Sequence, residues 1–124
     1  MKPLERIFWL AAFIWGMVSL SFGVPSTQWD GSSNQNWNTG SNWSDGVPDD
    51  STDAEIGSAG NGTINLGTSN RFARTLTLLG SADEDWDLNG TGTLNVEGFA
   101  ITNESSFTLN LNAPLQLAAN AALA

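Results

Sequence analysis

After position 57, apolar residues recur in short pairs at i and i+2, and most pairs enclose a polar residue. This alternation is typical of a strand with one buried face. Turn-forming segments rich in Gly, Asn, Asp and Ser separate the pairs, so the pattern predicts an all-β fold. The pairs are Ile64/Leu66, Leu76/Leu78, Trp86/Leu88, Leu94/Val96, Phe99/Ile101, Phe107/Leu109 and Leu115/Leu117.

The pairs form three sets with one shared period of 21 to 23 residues. The spacings are 22 and 21 for Ile64, Trp86 and Phe107, 23 for Leu76 and Phe99, and 21 for Leu94 and Leu115. Such a period predicts a β-solenoid, in which each coil buries its inward residues against the next coil. We expect asparagines at the turns to hydrogen-bond along the stack. The alternative is a β-sandwich, whose strands also recur every 8–12 residues, but the shared period favours the solenoid.

Residues 1–23 are predicted to be a signal peptide. Lys2 and Arg6 precede residues 7–22, which are uncharged and largely apolar, and small residues near Gly23 suit a signal-peptidase site. Sixteen residues are short for a membrane span, although an uncleaved anchor is the alternative. We therefore expect an exported protein with no membrane span in the mature chain.

Composition narrows the function. The formal charge of −9 disfavours nucleic acid and anionic membrane surfaces as partners. The chain has no His and no Cys, which excludes Ser-His-Asp and Cys-His catalysis and zinc sites built on imidazole or thiolate. Secreted eukaryotic domains of this size usually carry disulfides, so the absence of Cys favours a bacterial origin.

Residues 24–57 are rich in Trp, Asn, Gly and Ser and precede the first predicted coil. Trp29, Trp37 and Trp43 are spaced by eight and six residues, so extended chain would place all three on one side. Aromatic rings arranged in this way could stack on sugars, which makes them candidate ligand-binding residues. The favoured interpretation is an N-terminal cap whose rings exclude water from the open end of the solenoid.

An acidic segment follows the tryptophans. Asp45, Asp49, Asp50 and Asp53 are candidate ligands for Ca²⁺, which prefers carboxylate and carbonyl oxygens in loops. Their offsets do not match the calcium loop of an EF-hand. A solvated acidic turn is therefore the favoured interpretation, and no other cofactor is predicted.

A second acidic segment, residues 83–87, raises the question of glycoside hydrolysis by paired carboxylates. Nothing in the pattern places two acids across a cleft. Strand alternation points Asp85 and Asp87 away from the core face that holds Trp86 and Leu88. We therefore predict no catalytic residue and no enzymatic activity.

The segment WDGSSNQNWNTGSNWSDGVPDDSTDAEIG resembles the opening of bacterial proteins with autotransporter-associated β-strand repeats, many of which also carry a PEP-CTERM sorting signal. The matching positions are Trp29, Gly31, Trp37, Asn42, Trp43, Gly46 and Pro48. The resemblance implies a right-handed β-solenoid at the bacterial surface or secreted, serving as a passenger, stalk or adhesin. It transfers no catalytic residue.

We therefore expect a non-enzymatic exported module, structural or adhesive, with coils over residues 58–124. Leu115, Leu117 and Leu123 are apolar and no polar cap follows them, so we expect a fragment of a longer repeat protein. The expected partners are its remaining repeats and a surface glycan or extracellular matrix. The alternative is a carbohydrate-binding module that uses Trp29, Trp37 and Trp43.

Trp37→Ala separates the two interpretations of the tryptophans. If they form a cap, their emission is blue-shifted in the free protein, and the substitution lowers the unfolding midpoint. If they bind glycans, a polysaccharide panel shifts their emission, and the substitution abolishes that shift. A flat response to every glycan would exclude the platform.

Overall fold

The computed structural model describes residues 23–98, 100–118 and 122–123. They form a β-solenoid of about four turns, built from stacked parallel strands. The predicted all-β solenoid is confirmed, and the sandwich is wrong because every strand pair is parallel. Except for Gly23, the predicted signal peptide lies outside the described residues. Within the described ranges, no helix has the length and apolar character needed to cross a membrane.

The described residues form eleven short strands and one 3₁₀ turn, Gly40–Asn42. The strands are β1 (Ser26–Trp29), β2 (Asp53–Ile56), β3 (Thr63–Asn65), β4 (Arg71–Ala73), β5 (Leu76–Leu78), β6 (Trp86–Asn89), β7 (Leu94–Val96), β8 (Ala100–Asn103), β9 (Leu109–Leu111), β10 (Leu115–Leu117) and β11 (Ala122–Leu123).

Three parallel sheets form the faces of the solenoid. Sheet A has the strand order β1-β2-β5-β8-β11, sheet B has β3-β6-β9, and sheet C has β4-β7-β10. The first coil is β2–β4, the second is β5–β7 and the third is β8–β10, so each coil gives one strand to each sheet. The strand β1 forms an additional first rung of sheet A.

The core lies between the three sheets and consists of the inward members of the alternating pairs. Ile56 pairs with Leu78 in sheet A, and Ile64 pairs with Leu88 in sheet B. All four side chains are 0% exposed. Burying a side chain of this size stabilises the fold by about 1.5–3 kcal/mol. Stacking of equivalent positions therefore provides the main hydrophobic contact between coils.

The predicted pairing between adjacent coils is wrong by two residues in sheets A and B. Ile64 pairs with Leu88 instead of Trp86, and Trp86 pairs with Leu109 instead of Phe107. Phe107 precedes β9 and is only half-buried. A shift of two residues keeps every side chain on the same face, so the alternation cannot detect it.

The remaining predicted pairs give one correction and one confirmation. Leu76 pairs with Ile101 instead of Phe99, which lies outside the described residues. Leu94 pairs with Leu115 as predicted. The coils are thus unequal: these two pairs are separated by 25 and 21 residues, respectively.

Asparagine side chains link the second and third coils along sheet B. Asn112 Nδ2 donates to Asn89 Oδ1 at 3.0 Å, and Asn110 Nδ2 donates to Asp87 Oδ1 at 2.8 Å. The predicted hydrogen bonding between stacked asparagines is confirmed. These polar contacts run parallel to the backbone ladder and help to hold the register that the apolar alternation leaves open.

Burial decreases toward the third coil. Leu88 and Leu94 in the second coil are 0% and 2% exposed, whereas Leu115 in the third is 36% exposed. Leu109 and Leu111 are half-buried. Where the structure describes the chain, only sheet A has a strand beyond the third coil, namely β11. The interior side of the third coil is therefore partly open to solvent.

We expect Leu88→Ala and Leu115→Ala to have unequal effects although they remove the same atoms. Leu88→Ala should lower the free energy of unfolding by about 2–5 kcal/mol because it leaves a cavity in the closed core. Leu115→Ala should cost about 1 kcal/mol or less because less apolar surface is lost from burial. Urea unfolding followed by far-UV circular dichroism measures both. Equal costs would contradict the observed decrease in burial.

Candidate functional site

The three candidate tryptophans lie together inside the N-terminal end of the solenoid. Trp29 ends β1, Trp37 follows the next loop, and Trp43 comes directly after the 3₁₀ turn. They are 1%, 0% and 3% exposed. The Trp43 ring packs edge-on against Trp29 at 5.2 Å and against Trp37 at 4.8 Å between ring centroids. In this arrangement the ring faces contact protein and present no surface to a sugar.

Residues 30–44, the part of the cap that lies between β1 and β2, cover the outer edge of sheet A. Residues 42–44 run antiparallel to β1: Asp30 N donates to Asn42 O at 2.7 Å, and Ser44 N donates to Gln28 O at 2.8 Å. An uncovered β1 would expose a row of unpaired backbone groups that invites pairing with other chains. The antiparallel segment satisfies these groups and ends the parallel stack.

The same cap also covers the first strand of sheet B. Asn36 forms a parallel bridge with Asn65 in β3. Trp37 N donates to Asn65 O at 2.9 Å, and Asn65 N donates to Gln35 O at 2.7 Å. The loop between β1 and the 3₁₀ turn therefore acts as a partial coil above the first complete one. Residues 30–44 therefore form a cap over the first coil, and that coil begins at Asp53 in β2, before the predicted boundary at residue 58.

Asn42 holds the cap loop in place, and the sequence pattern alone did not single out this role. Its side chain is fully buried. Its Oδ1 accepts from Ser33 N at 3.0 Å and Asn34 N at 3.1 Å. Its Nδ2 donates to Asn34 Oδ1 and Asn36 O, both at 2.9 Å. All four hydrogen-bonding positions of the amide are used, which permits a polar group in the interior.

The candidate calcium ligands are not brought together. Asp49 Oδ1 accepts from Ser51 and Thr52 within its own turn. The hydrogen bond from the Thr52 side chain, followed by those from Ser51, holds the pKa of Asp49 below its ordinary value. Asp45 and Asp50 are exposed. Within the described ranges, no three carboxylates lie close enough to hold a metal ion.

The fourth candidate ligand, Asp53, forms an ion pair instead. Arg74 Nη2 donates to Asp53 Oδ2 at 2.8 Å, and Arg74 Nε lies 2.8 Å from Asp53 Oδ1. Asp53 begins β2 and Arg74 follows β4, so the pair joins the two ends of the first coil. The two-point geometry of this contact suits a guanidinium and a carboxylate.

Carboxylates of the second acidic segment, residues 83–87, form hydrogen bonds between stacked coils. Asp85 Oδ1 accepts from Thr108 N at 2.8 Å, and Asp87 Oδ1 accepts from the Asn110 amide. Thr108 and Asn110 belong to the third coil, whereas both acids belong to the second. The two carboxylates therefore form hydrogen bonds between adjacent coils.

A cleft of about 560 Å³ opens where the cap loop meets the loop between β2 and β3. Its size lies in the range of small-ligand sites, about 300–1,000 Å³. Sequence reasoning missed it, because its residues read as ordinary turn formers and come from two separate loops. It is lined by Asp30, Gly31, Ser33, Asn34, Gln35, Gly60 and Asn61.

Two glycines separate the cleft from the tryptophan cluster. Gly31 has φ +60° and Gly60 has φ +107°, a region that disfavours other residues. A Cβ atom on either glycine would lie 2.9 Å from Trp29 Nε1. Trp29 Nε1 is buried and has no hydrogen-bond partner within the part of the chain that the structure describes. An indole N–H donor thus lies directly against both glycines of the cleft.

Comparison with protein-family models, curated proteins and solved structures gives no match to this chain. The description of the site therefore depends on the contacts within the molecule.

Asn42→Asp should destabilise the protein strongly, because it removes both side-chain donors and places a charge on a side chain that is 0% exposed. We expect the free energy of unfolding to fall by more than about 2 kcal/mol. Asn38→Asp is the matched control: Asn38 is exposed in the same loop, and a change of about 0.5 kcal/mol or less is expected. Urea unfolding measures both variants. Similar losses in the two would show that Asn42 does not hold the cap.

Proposed function

We propose that this chain is a non-enzymatic exported module of the bacterial surface, structural or adhesive, within a β-strand-repeat passenger or stalk protein. The observation on which the proposal depends is the stack itself, in which each coil supports the next through three parallel ladders. A solenoid of this kind repeats its strands from coil to coil along one continuous outer surface. Such a surface suits a spacer or a repeated adhesive face.

The use of the charged side chains supports a non-enzymatic role. Asp53 pairs with Arg74 to close the first coil. Asp85 and Asp87 accept hydrogen bonds from the following coil. These carboxylates are therefore engaged in building the solenoid, and their positions follow its repeat.

The opening segment supports export and surface location. Residues 1–23 have the order of a signal peptide, with a basic start, an apolar stretch and small residues. Five of the positions that match the repeat proteins lie in the cap, namely Trp29, Gly31, Trp37, Asn42 and Trp43. An N-terminal cap directly after a leader is consistent with a solenoid that begins at this point in the exported chain.

The proposed partners are further repeats of the same kind, together with a surface glycan or extracellular matrix. The third coil supports the first of these, since Leu109 and Leu111 are half-buried and Leu115 is 36% exposed. A following coil would cover these inward side chains as the second and third coils cover those before them.

Carbohydrate binding by Trp29, Trp37 and Trp43 is the second candidate. The contacts do not favour it, because the three rings pack against each other and are at most 3% exposed. A sugar would reach them only after the cap opened.

Expression of the tagged full chain in a Gram-negative host tests the proposal. We expect cleavage near Gly23 and recovery outside the cytoplasm, shown by N-terminal sequencing and fractionation. Phe13→Asp/Ile14→Asp interrupts the apolar stretch and should retain uncleaved chain in the cytoplasm. Asn38→Asp, a charge change in the mature part, should be exported normally.

Two outcomes would contradict the proposal. One is unprocessed wild-type chain in the cytoplasm. The other is the release of new reducing ends when the purified protein is incubated with polysaccharides, since that would show glycan-cleaving activity.

A further inference from the structure

The cleft between the cap loop and the first coil has free hydrogen-bonding groups on both sides. Gln35 lies on the cap side and Asn61 on the side of the loop between β2 and β3. Both are exposed, and neither side-chain amide has a partner in residues 23–98, 100–118 or 122–123. Each planar amide offers a donor and an acceptor side by side. That arrangement matches two adjacent hydroxyl groups.

The cap side of the cleft is held rigidly. Asn34 Oδ1 accepts from Asn36 N and from Asn42 Nδ2, both at 2.9 Å, which fixes the amide of this exposed residue. The backbone of Gln35 is anchored to β3 through Asn65. The Asn34 amide and the Gln35 backbone therefore need little ordering when a ligand binds.

The floor of the cleft is formed by backbone atoms and lies over aromatic rings. Gly31 and Gly60 line it, and a Cβ on Gly60 would meet Trp86 Cη2 at 2.8 Å and Trp29 Nε1 at 2.9 Å. The buried Trp29 N–H has no partner in the described part of the chain. A ligand seated at the two glycines would therefore lie directly above the Trp29 and Trp86 rings.

The charge of the lining limits the ligand class. Among the described residues that line the cleft, Asp30 is the only ionisable one, and none is Lys or Arg. Asp30 Oδ1 accepts from Ser32 N at 2.8 Å. One carboxylate without a cation repels phosphate, sulfate and uronate groups, whereas it accepts hydrogen bonds from hydroxyls.

From these observations we propose that this cleft binds a neutral oligosaccharide. Gln35, Asn34 and Asn61 contact its hydroxyl groups, Asp30 accepts a hydrogen bond, and Gly31 and Gly60 form the floor. The tryptophans lie beneath the site and take no part in stacking. This goes beyond the proposed structural or adhesive role, which stands whether or not the cleft binds a sugar.

Titration of the purified protein with cellohexaose, laminarihexaose, mannohexaose and xylohexaose tests the proposal by calorimetry and tryptophan emission. We expect at least one of them to bind, and the emission to change because Trp29 and Trp86 lie beneath the floor. A hexamer of mannuronate should bind at least roughly tenfold more weakly, because the Asp30 carboxylate repels it. Absence of binding by all four neutral hexamers at millimolar concentration would overturn the proposal, as would equal binding of the mannuronate hexamer.

Gln35→Ala/Asn61→Ala should lower the affinity for the bound hexamer by roughly tenfold or more, through loss of hydrogen bonds to hydroxyls. Gln116→Ala/Asn70→Ala is the matched control: it removes the same residue types from exposed positions outside the cleft, and its affinity should equal that of the wild type. Unchanged affinity in the first pair, or equal loss in the control pair, would contradict the site.

A second measurement on the wild-type protein does not depend on the folding of any variant. In ¹⁵N spectra, added hexamer should shift the side-chain amide signals of Gln35, Asn34 and Asn61 and leave those of Gln116 and Asn70 in place. Shifts confined to other regions would place the ligand elsewhere and overturn the proposal.

Discussion

The rest of the structure depends on the stacking of each coil on its neighbour. The column Ile64, Leu88 and Leu111 shows this directly, since these residues pair in successive strands of sheet B. No coil can bury its inward face alone, because its three strands belong to three different sheets. Leu88, covered on both sides, is fully buried, whereas Leu111, with a described coil on one side only, is half-buried.

A stack that depends on neighbours must end in something other than another coil. At the N-terminal end this is achieved by a change of strand direction, by aromatic rings and by a buried polar group together. Residues 42–44 pair antiparallel to β1, Trp37 and Trp43 fill the space beneath, and Asn42 joins the loop through four hydrogen bonds. Because backbone and amide groups are satisfied inside the cap, the apolar core can begin directly below it.

Polar residues have two different roles on this solenoid. Asp53 closes the first coil through Arg74, whereas Asp85 and Asp87 join the second coil to the third through Thr108 and Asn110, so their oxygens are engaged by the fold. In the cleft, by contrast, the side-chain amides of Gln35 and Asn61 have no hydrogen-bond partner among the described residues. They are therefore the groups on this part of the surface that the fold leaves open to a ligand.

From the sequence alone, the alternation predicts an all-β chain and the two faces of its strands, and the shared period favours a solenoid over a sandwich, because both features depend on local order along the chain. The tertiary structure alone decided the register, since pairing Ile64 with Leu88 or with Trp86 leaves every side chain on the same face. It also decided that the tryptophans are buried. The spacing of the tryptophans predicts that they share one side of an extended chain. It does not show whether solvent or other parts of the protein cover that side. The cleft was hidden for the same reason: Gln35 and Asn61 lie far apart in the chain, and only the packing of the cap on the first coil places them on opposite sides of one opening.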